Sequence, residues 1–158
     1  CLSMTQSVTG VVVKMDEFCL ERFRIAQGGL YAVALNELRS GRKQSHWVWF
    51  VFPQLKGLGH SPNAAFYGLS GLTEARAYVA DPILGERLRE ATRTMLAHRA
   101  LTAAAVLGEL DALKFKSCLT LFSLADPTEK VFEIALERFF SGARDERTLE
   151  LLEEQNTN

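Results

Sequence analysis

Apolar positions recur along much of the chain at the three- and four-residue spacing of helices buried on one face. Leu84, Leu88, Ala91 and Met95 form one such stripe, and Val131, Ala135, Leu136, Phe139 and Phe140 form another. Leu110, Leu113, Ser117, Leu121 and Leu124 make a third, on a helix over residues 111–125. In the first half, Cys19, Phe23, Ala26 and Leu30 are helically spaced, and Leu30, Ala34, Leu35 and Leu38 continue the pattern. Gly28-Gly29 falls inside this stretch and predicts a kink or break there. Asp81-Pro82 and Asp126-Pro127 each place a capping residue before proline at a first helical position. Glu129 completes an acidic variant of the capping box at the second site, and Gly142 closes that helix. Shorter helices are expected over 62–69 and 72–79, with a last amphipathic one over 145–153.

One segment departs from this pattern. Trp47-Val48-Trp49-Phe50-Val51-Phe52 is continuously apolar, aromatic and β-branched, and ends at Pro53. Propensity favours a buried strand, whereas periodicity fits a helix buried on both faces equally well. No other segment offers a partner strand, so helix is the expectation. The chain shows no internal repeat, low-complexity tract or linker. The expected fold is all-α: a single compact multi-helical domain over 16–158. Residues 1–15 are an extension of unset order, in which Val11–Val13 is the one strand-like run.

Composition narrows the function classes. The 158 residues are 47% apolar and 23% charged, in the range of an ordinary globular domain. Eighteen basic against 19 acidic residues leave a formal charge of −1, which argues against the broad basic surface of a non-specific nucleic-acid binder. No apolar run approaches the roughly 20 residues that span a bilayer. Cys1, Cys19 and Cys118 form no Cys-x-x-Cys pair, a sparse odd set that fits reduced thiols better than a disulfide framework. The first ten residues lack the basic and apolar regions of a signal peptide. A cytoplasmic location is the expectation.

Candidate chemistry gathers around the apolar run. Gly41-Arg42-Lys43-Gln44-Ser45-His46 precedes it, and Gln54-Leu55-Lys56-Gly57-Leu58-Gly59-His60 follows it. Apolar walls with a few placed donors are how small-molecule pockets are built. Arg42, Lys43 and Lys56 are candidate anion contacts. The backbone at Gly57 and Gly59 is flexible enough for close approach to a phosphate, although a lone Gly-x-Gly more often makes only a turn. Trp47 is a candidate stacking surface if it is not core, and Gln54 a candidate polar contact. His46, whose charge titrates near neutrality, is the candidate acid–base group. On a second stretch, Lys114 and Ser117 share a helix face with Cys118, and Ser117 needs a partner for its hydroxyl. Asp111, three residues before Lys114, reads as a surface ion-pair partner. His46, His60 and His98 lack metal-ligand spacing, and no P-loop or Gly-x-Ser-x-Gly elbow is present, so neither metal nor cofactor is expected.

The residues Arg22-Phe23, Ala26-Gln27, Tyr31, Ala34-Leu35, Glu37-Leu38, Gly41-Arg42-Lys43 and Ser45-His46-Trp47-Val48-Trp49-Phe50-Val51-Phe52-Pro53-Gln54 resemble the family named domain of unknown function 1810. So do Gly57-Leu58-Gly59, the 74–78 and 82–88 segments, and Lys114-Phe115-Lys116-Ser117-Cys118-Leu119-Thr120-Leu121-Phe122. The likeness runs from residue 18 to about 152. It implies a small, essentially all-helical protein of bacterial type, which favours helix for the apolar run, and brings no established reaction with it. Short fragments, Ala26-Gln27 and Lys114-Phe115, are similar to the NADAR family of helical N-glycosidases acting on ADP-ribosylated groups.

Two functions follow as expectations. One is a pocket for a small anionic ligand of nucleotide or ADP-ribosyl type, with hydrolysis as an extension. The other is a non-catalytic helical protein-interaction module, with partner proteins unspecified.

Overall fold

A computed structural model describes residues 18–156. The extension 1–15 and its Val11–Val13 run lie outside the described residues. Within them the chain forms nine helices: α1 Glu21–Ser40, α2 Val48–Val51, α3 Pro62–Tyr67, α4 Leu72–Ala80, α5 Leu84–Leu96, α6 Ala103–Leu107, α7 Glu109–Ala125, α8 Val131–Phe140 and α9 Glu146–Asn156. Extended pairing among the described residues is limited to one parallel bridge between Leu55 and Leu69. The all-α expectation holds, and the apolar run is helical through α2.

Two helices organise the packing. α5 lies against α1, α2, α4 and α8, while α7 lies against α2, α4, α6, α8 and α9. The α5 stripe of Leu84, Leu88, Ala91 and Met95 is fully buried, as its spacing predicts. α7 is different, because it is enclosed on most sides. Ala112, Phe115, Cys118, Leu119, Leu121, Phe122 and Ala125 are all buried, so no single polar face marks its orientation. The expected α7 stripe is therefore only half right. Leu121 is buried, but Leu110 is 75% exposed and Leu113 58% exposed. The hydroxyls carried into the core bond back to their own helix, Ser117 to the Leu113 carbonyl, Thr120 to that of Lys116 and Ser123 to that of Thr120.

Gly28-Gly29 does not interrupt α1. Both glycines lie on its exposed side with open space around them, while Phe23, Gln27, Tyr31, Ala34, Leu35 and Leu38 face inward. Leu30 turns outward instead of continuing the stripe. Gln27 is the buried polar member of that face. Its amide donates to the Phe50 carbonyl at 2.6 Å and to the Tyr78 hydroxyl at 3.1 Å, tying α1 to α2 and α4. Gly41 ends α1 with φ +79°, and the Arg42 amide reaches back to the Glu37 carbonyl, the left-handed termination that glycine favours.

The two Asp-Pro marks behave differently. The Asp81 carboxylate accepts from the amides of Ile83 and Leu84, capping α5. Asp126 takes the Thr128 hydroxyl instead, and Pro127 leads a turn, so α8 starts only at Val131. At its far end Ser141 and Gly142 both adopt positive φ, close to the expected glycine stop. The short α6 is not marked by any apolar stripe; Thr102 caps it through the Ala105 amide. Cys118 is a buried free thiol.

Candidate functional site

The loop from residue 41 to 47 is organised by a carboxylate. Glu37, on the last turn of α1, accepts the amides of Gln44 and Ser45 at 2.7 and 2.9 Å, the Ser45 hydroxyl at 2.6 Å and the Trp47 indole at 2.9 Å. Trp47 is fully buried, so its ring serves the core and this anchor rather than offering a stacking face. Arg42 and His46 stand exposed on the outside of the loop.

Lys43 points the other way, into the protein. Its ammonium meets Asp111 Oδ2 at 2.8 Å and lies 5.3 Å from the Trp47 ring centroid. Asp111 Oδ1 holds a second cation, Lys114, at 2.9 Å, and the Lys114 ammonium rests 4.6 Å from the Trp49 ring centroid. Burial works against the Asp111 charge, but its hydrogen bonds to Lys43 and Lys114 outweigh that and hold the carboxyl below its ordinary range.

Beyond Lys114 opens a cleft of about 250 Å³ lined by Trp49, Gln54, Leu58, Gly59, Leu113, Lys114, Ser117, Asp145 and Arg147. It lies between α2, the 54–59 loop, α7 and the start of α9. Four expected site residues, Gln54, Gly59, Lys114 and Ser117, therefore share one cleft. Each is placed by local structure. Gln54 and Lys56 are fixed by backbone bonds to Leu69. A Cβ on Gly59 would lie 2.9 Å from that of Ala64, so the glycine lets the loop lie against α3. The Asp145 amide donates to Thr120 Oγ1 at 2.9 Å, and its carboxylate caps α9 through the Thr148 amide and hydroxyl. Arg147, half exposed, pairs with Glu150 at 3.0 Å.

The remaining expected residues fall elsewhere. Lys56 lines a separate cavity of about 440 Å³ with Arg22, Phe66 and Glu74. Arg22 is committed there, bonding the Phe18, Cys19 and Phe66 carbonyls and pairing with buried Glu74 at 2.8 Å. Gly57 is exposed with φ +103°, a turn position that requires glycine. His98 donates to the Leu38 carbonyl, a structural contact.

The family described as "Protein of unknown function (DUF1810)" matches residues 17–152. The chain belongs to that family. The chain is also similar to the conserved hypothetical protein Rv1873 from Mycobacterium tuberculosis, known from a 1.38 Å crystal structure. The two are 44% identical, the likeness covers 87% of this chain and 98% of that one, and the TM-score is 0.85. No curated protein matches the chain.

The DUF1810 match takes in every residue lining the cleft. Among the described residues no group of three metal-ligating side chains converges, and no helix is long and apolar enough to cross a membrane. Sequence reasoning missed five cleft residues in this DUF1810 chain. Trp49 and Leu113 were placed in the core by their apolarity, Leu58 went unremarked between two glycines, and Asp145 and Arg147 carried no signal beyond an ordinary helix start.

Proposed function

We propose that this protein binds a small anionic ligand, of nucleotide or ADP-ribosyl type, in the cleft at Trp49 and Lys114. The observation that carries this reading is the lining itself: a half-buried indole shares one concavity with two cations, Lys114 and Arg147. A nucleotide asks for both, since its ring stacks on an aromatic face and its phosphate takes charge-assisted hydrogen bonds. The volume of about 250 Å³ falls just under the ~300–1,000 Å³ of drug-sized sites, which suits one ring with its anionic substituent. His46 does not line this cleft, and the one carboxylate that does, Asp145, is engaged in capping α9. Binding, not hydrolysis, is therefore the function proposed.

A thermal-shift series with AMP, ADP-ribose, inorganic phosphate and uncharged adenosine tests it. A ligand at 100 times its Kd adds about 2.7 kcal/mol of stability, which should raise the Tm of a domain this size by roughly 5–10 °C. The shift should follow the phosphorylated compounds and shrink in Lys114→Met and Trp49→Ala. A flat response to all four would sink the reading.

The outward-facing Leu110 and Leu113, one turn apart on α7, favour a second reading as a non-catalytic interaction module. A flat ligand screen together with a specific association lost in Leu110→Glu would support it.

A further inference from the structure

Asp111 stands between two lysines, each of which lies over one of two tryptophans. The two cations are not equivalent. Lys43 is sealed in place: its side chain is 7% exposed, its ammonium is held between Asp111 and the Trp47 ring, and its amide donates to the Val106 carbonyl at 2.7 Å. Lys114 is more open, with a side chain 23% exposed that lines the cleft beside Trp49. Lys43 therefore neutralises Asp111 whether or not Lys114 stays bonded to it.

We infer that Asp111 is a positioning residue that parks Lys114 over Trp49 and yields it to the anionic group of a ligand. This rests on reading the cleft as an anion site. The Asp111–Lys114 pair spans three residues of one helix and is partly solvated, a class of ion pair that contributes little. A phosphate oxygen taking the same ammonium forms a charge-assisted bond of its own. The Asp111 carboxylate opposes that exchange twice, by competing for Lys114 and by repelling the incoming anion. Asp111 thereby keeps the affinity of the site for anions lower than the cleft's other groups would set it.

The sign of the effect separates this role from a merely structural one. Titration calorimetry on the full chain with AMP and with inorganic phosphate would compare wild type, Asp111→Asn, Lys114→Met and the double variant Lys43→Met/Asp111→Asn. Lys114→Met should weaken AMP binding at least about tenfold, the worth of one charge-assisted contact. Asp111→Asn should tighten it by roughly two- to fivefold, the size expected when a partly exposed ion pair no longer competes. The double variant should tighten binding equally, and it removes the buried ammonium that Asp111→Asn leaves uncompensated. Binding unchanged or weakened in both Asp111 variants overturns the inference while the cleft reading stands. Should Asp111→Asn fail to fold, the double variant alone decides. Unaltered AMP binding in Lys114→Met also overturns the inference, and a wild type that binds neither probe overturns both it and the cleft reading.

Discussion

The indole N–H of Trp47 donates to Glu37 Oε1 at 2.9 Å, and the same oxygen accepts the amides of Gln44 and Ser45. One carboxylate at the end of α1 thus seats the largest buried side chain and shapes the loop that leads to it. Charge-assisted hydrogen bonds contribute about 1.5–3 kcal/mol each, and an amide in place of the carboxylate keeps only part of them. Glu37→Gln should cost about 2 kcal/mol, a Tm lower by roughly 4–8 °C. An unchanged Tm by calorimetry would show that the loop holds its shape without the charge.

The same group sets an acid limit. Burial opposes ionisation of Glu37, but the Ser45 hydroxyl, the Gln44 and Ser45 amides and the Trp47 indole outweigh it and hold the carboxyl at about 2, below its ordinary 4.5. A folded value below the unfolded one means that the stabilisation is complete above about pH 4.5 and fades as the pH falls towards 2. The Tm gap between wild type and Glu37→Gln should therefore close across that window. A gap independent of pH would assign the effect to shape instead of charge.

Gly28 and Gly29 give the opposite kind of prediction. They occupy the middle of α1 with negative φ and nothing within 4 Å of where a Cβ would stand. Alanine there restricts the unfolded chain without a clash, so Gly28→Ala/Gly29→Ala should add about 1–2 kcal/mol. Loss of stability in chemical denaturation would mean that the bare backbone serves a contact of its own.

The cleft can be told apart from its surroundings by mutation. Trp49→Ala should weaken AMP binding about tenfold or more, since stacking on an aromatic ring contributes ~1–3 kcal/mol. His46→Ala and Lys56→Met, at positions outside the cleft lining, should bind AMP within about twofold of wild type, a difference under ~0.5 kcal/mol. A tenfold loss in either would move the site towards the 41–47 loop or the Lys56 cavity.

Legibility from sequence tracked how one-sided each burial is. α5 has one wet face, and Leu84, Leu88, Ala91 and Met95 announced the other. α7 has almost none, so Leu110 and Leu113 were assigned inward by apolarity although the neighbouring helices leave their end uncovered. Gly28-Gly29 reads as a break because propensity is local, whereas α1 is held by packing against α5 and α2. At the cleft, Gln54, Gly59, Lys114 and Ser117 stood out by type and setting. Asp145 and Arg147 joined them only because α9 folds back onto α7, a juxtaposition that no local spacing encodes. Glu37 was visible as part of the family likeness, but its four bonds depend on how the 44–47 loop turns back over α1.

Thr120, buried behind the cleft, anchors one of its lining residues. Its hydroxyl donates to the Lys116 carbonyl at 2.8 Å and accepts the Asp145 amide at 2.9 Å, so the first residue before α9 hangs from the helix that five others enclose. Backbone in such an enclosed element meets solvent deuterium only when the whole fold opens, while surface helix ends exchange through local fraying. The Asp145 amide, bonded to a hydroxyl of that enclosed helix, should therefore exchange more slowly than the open loop before it, although it borders a surface cleft. Arg147, two residues on in the first turn of α9, should exchange faster. The single wall that the start of α9 lends to the proposed ligand site should thus be graded in persistence, lasting longest where it is tied to α7 and least along the open first turn.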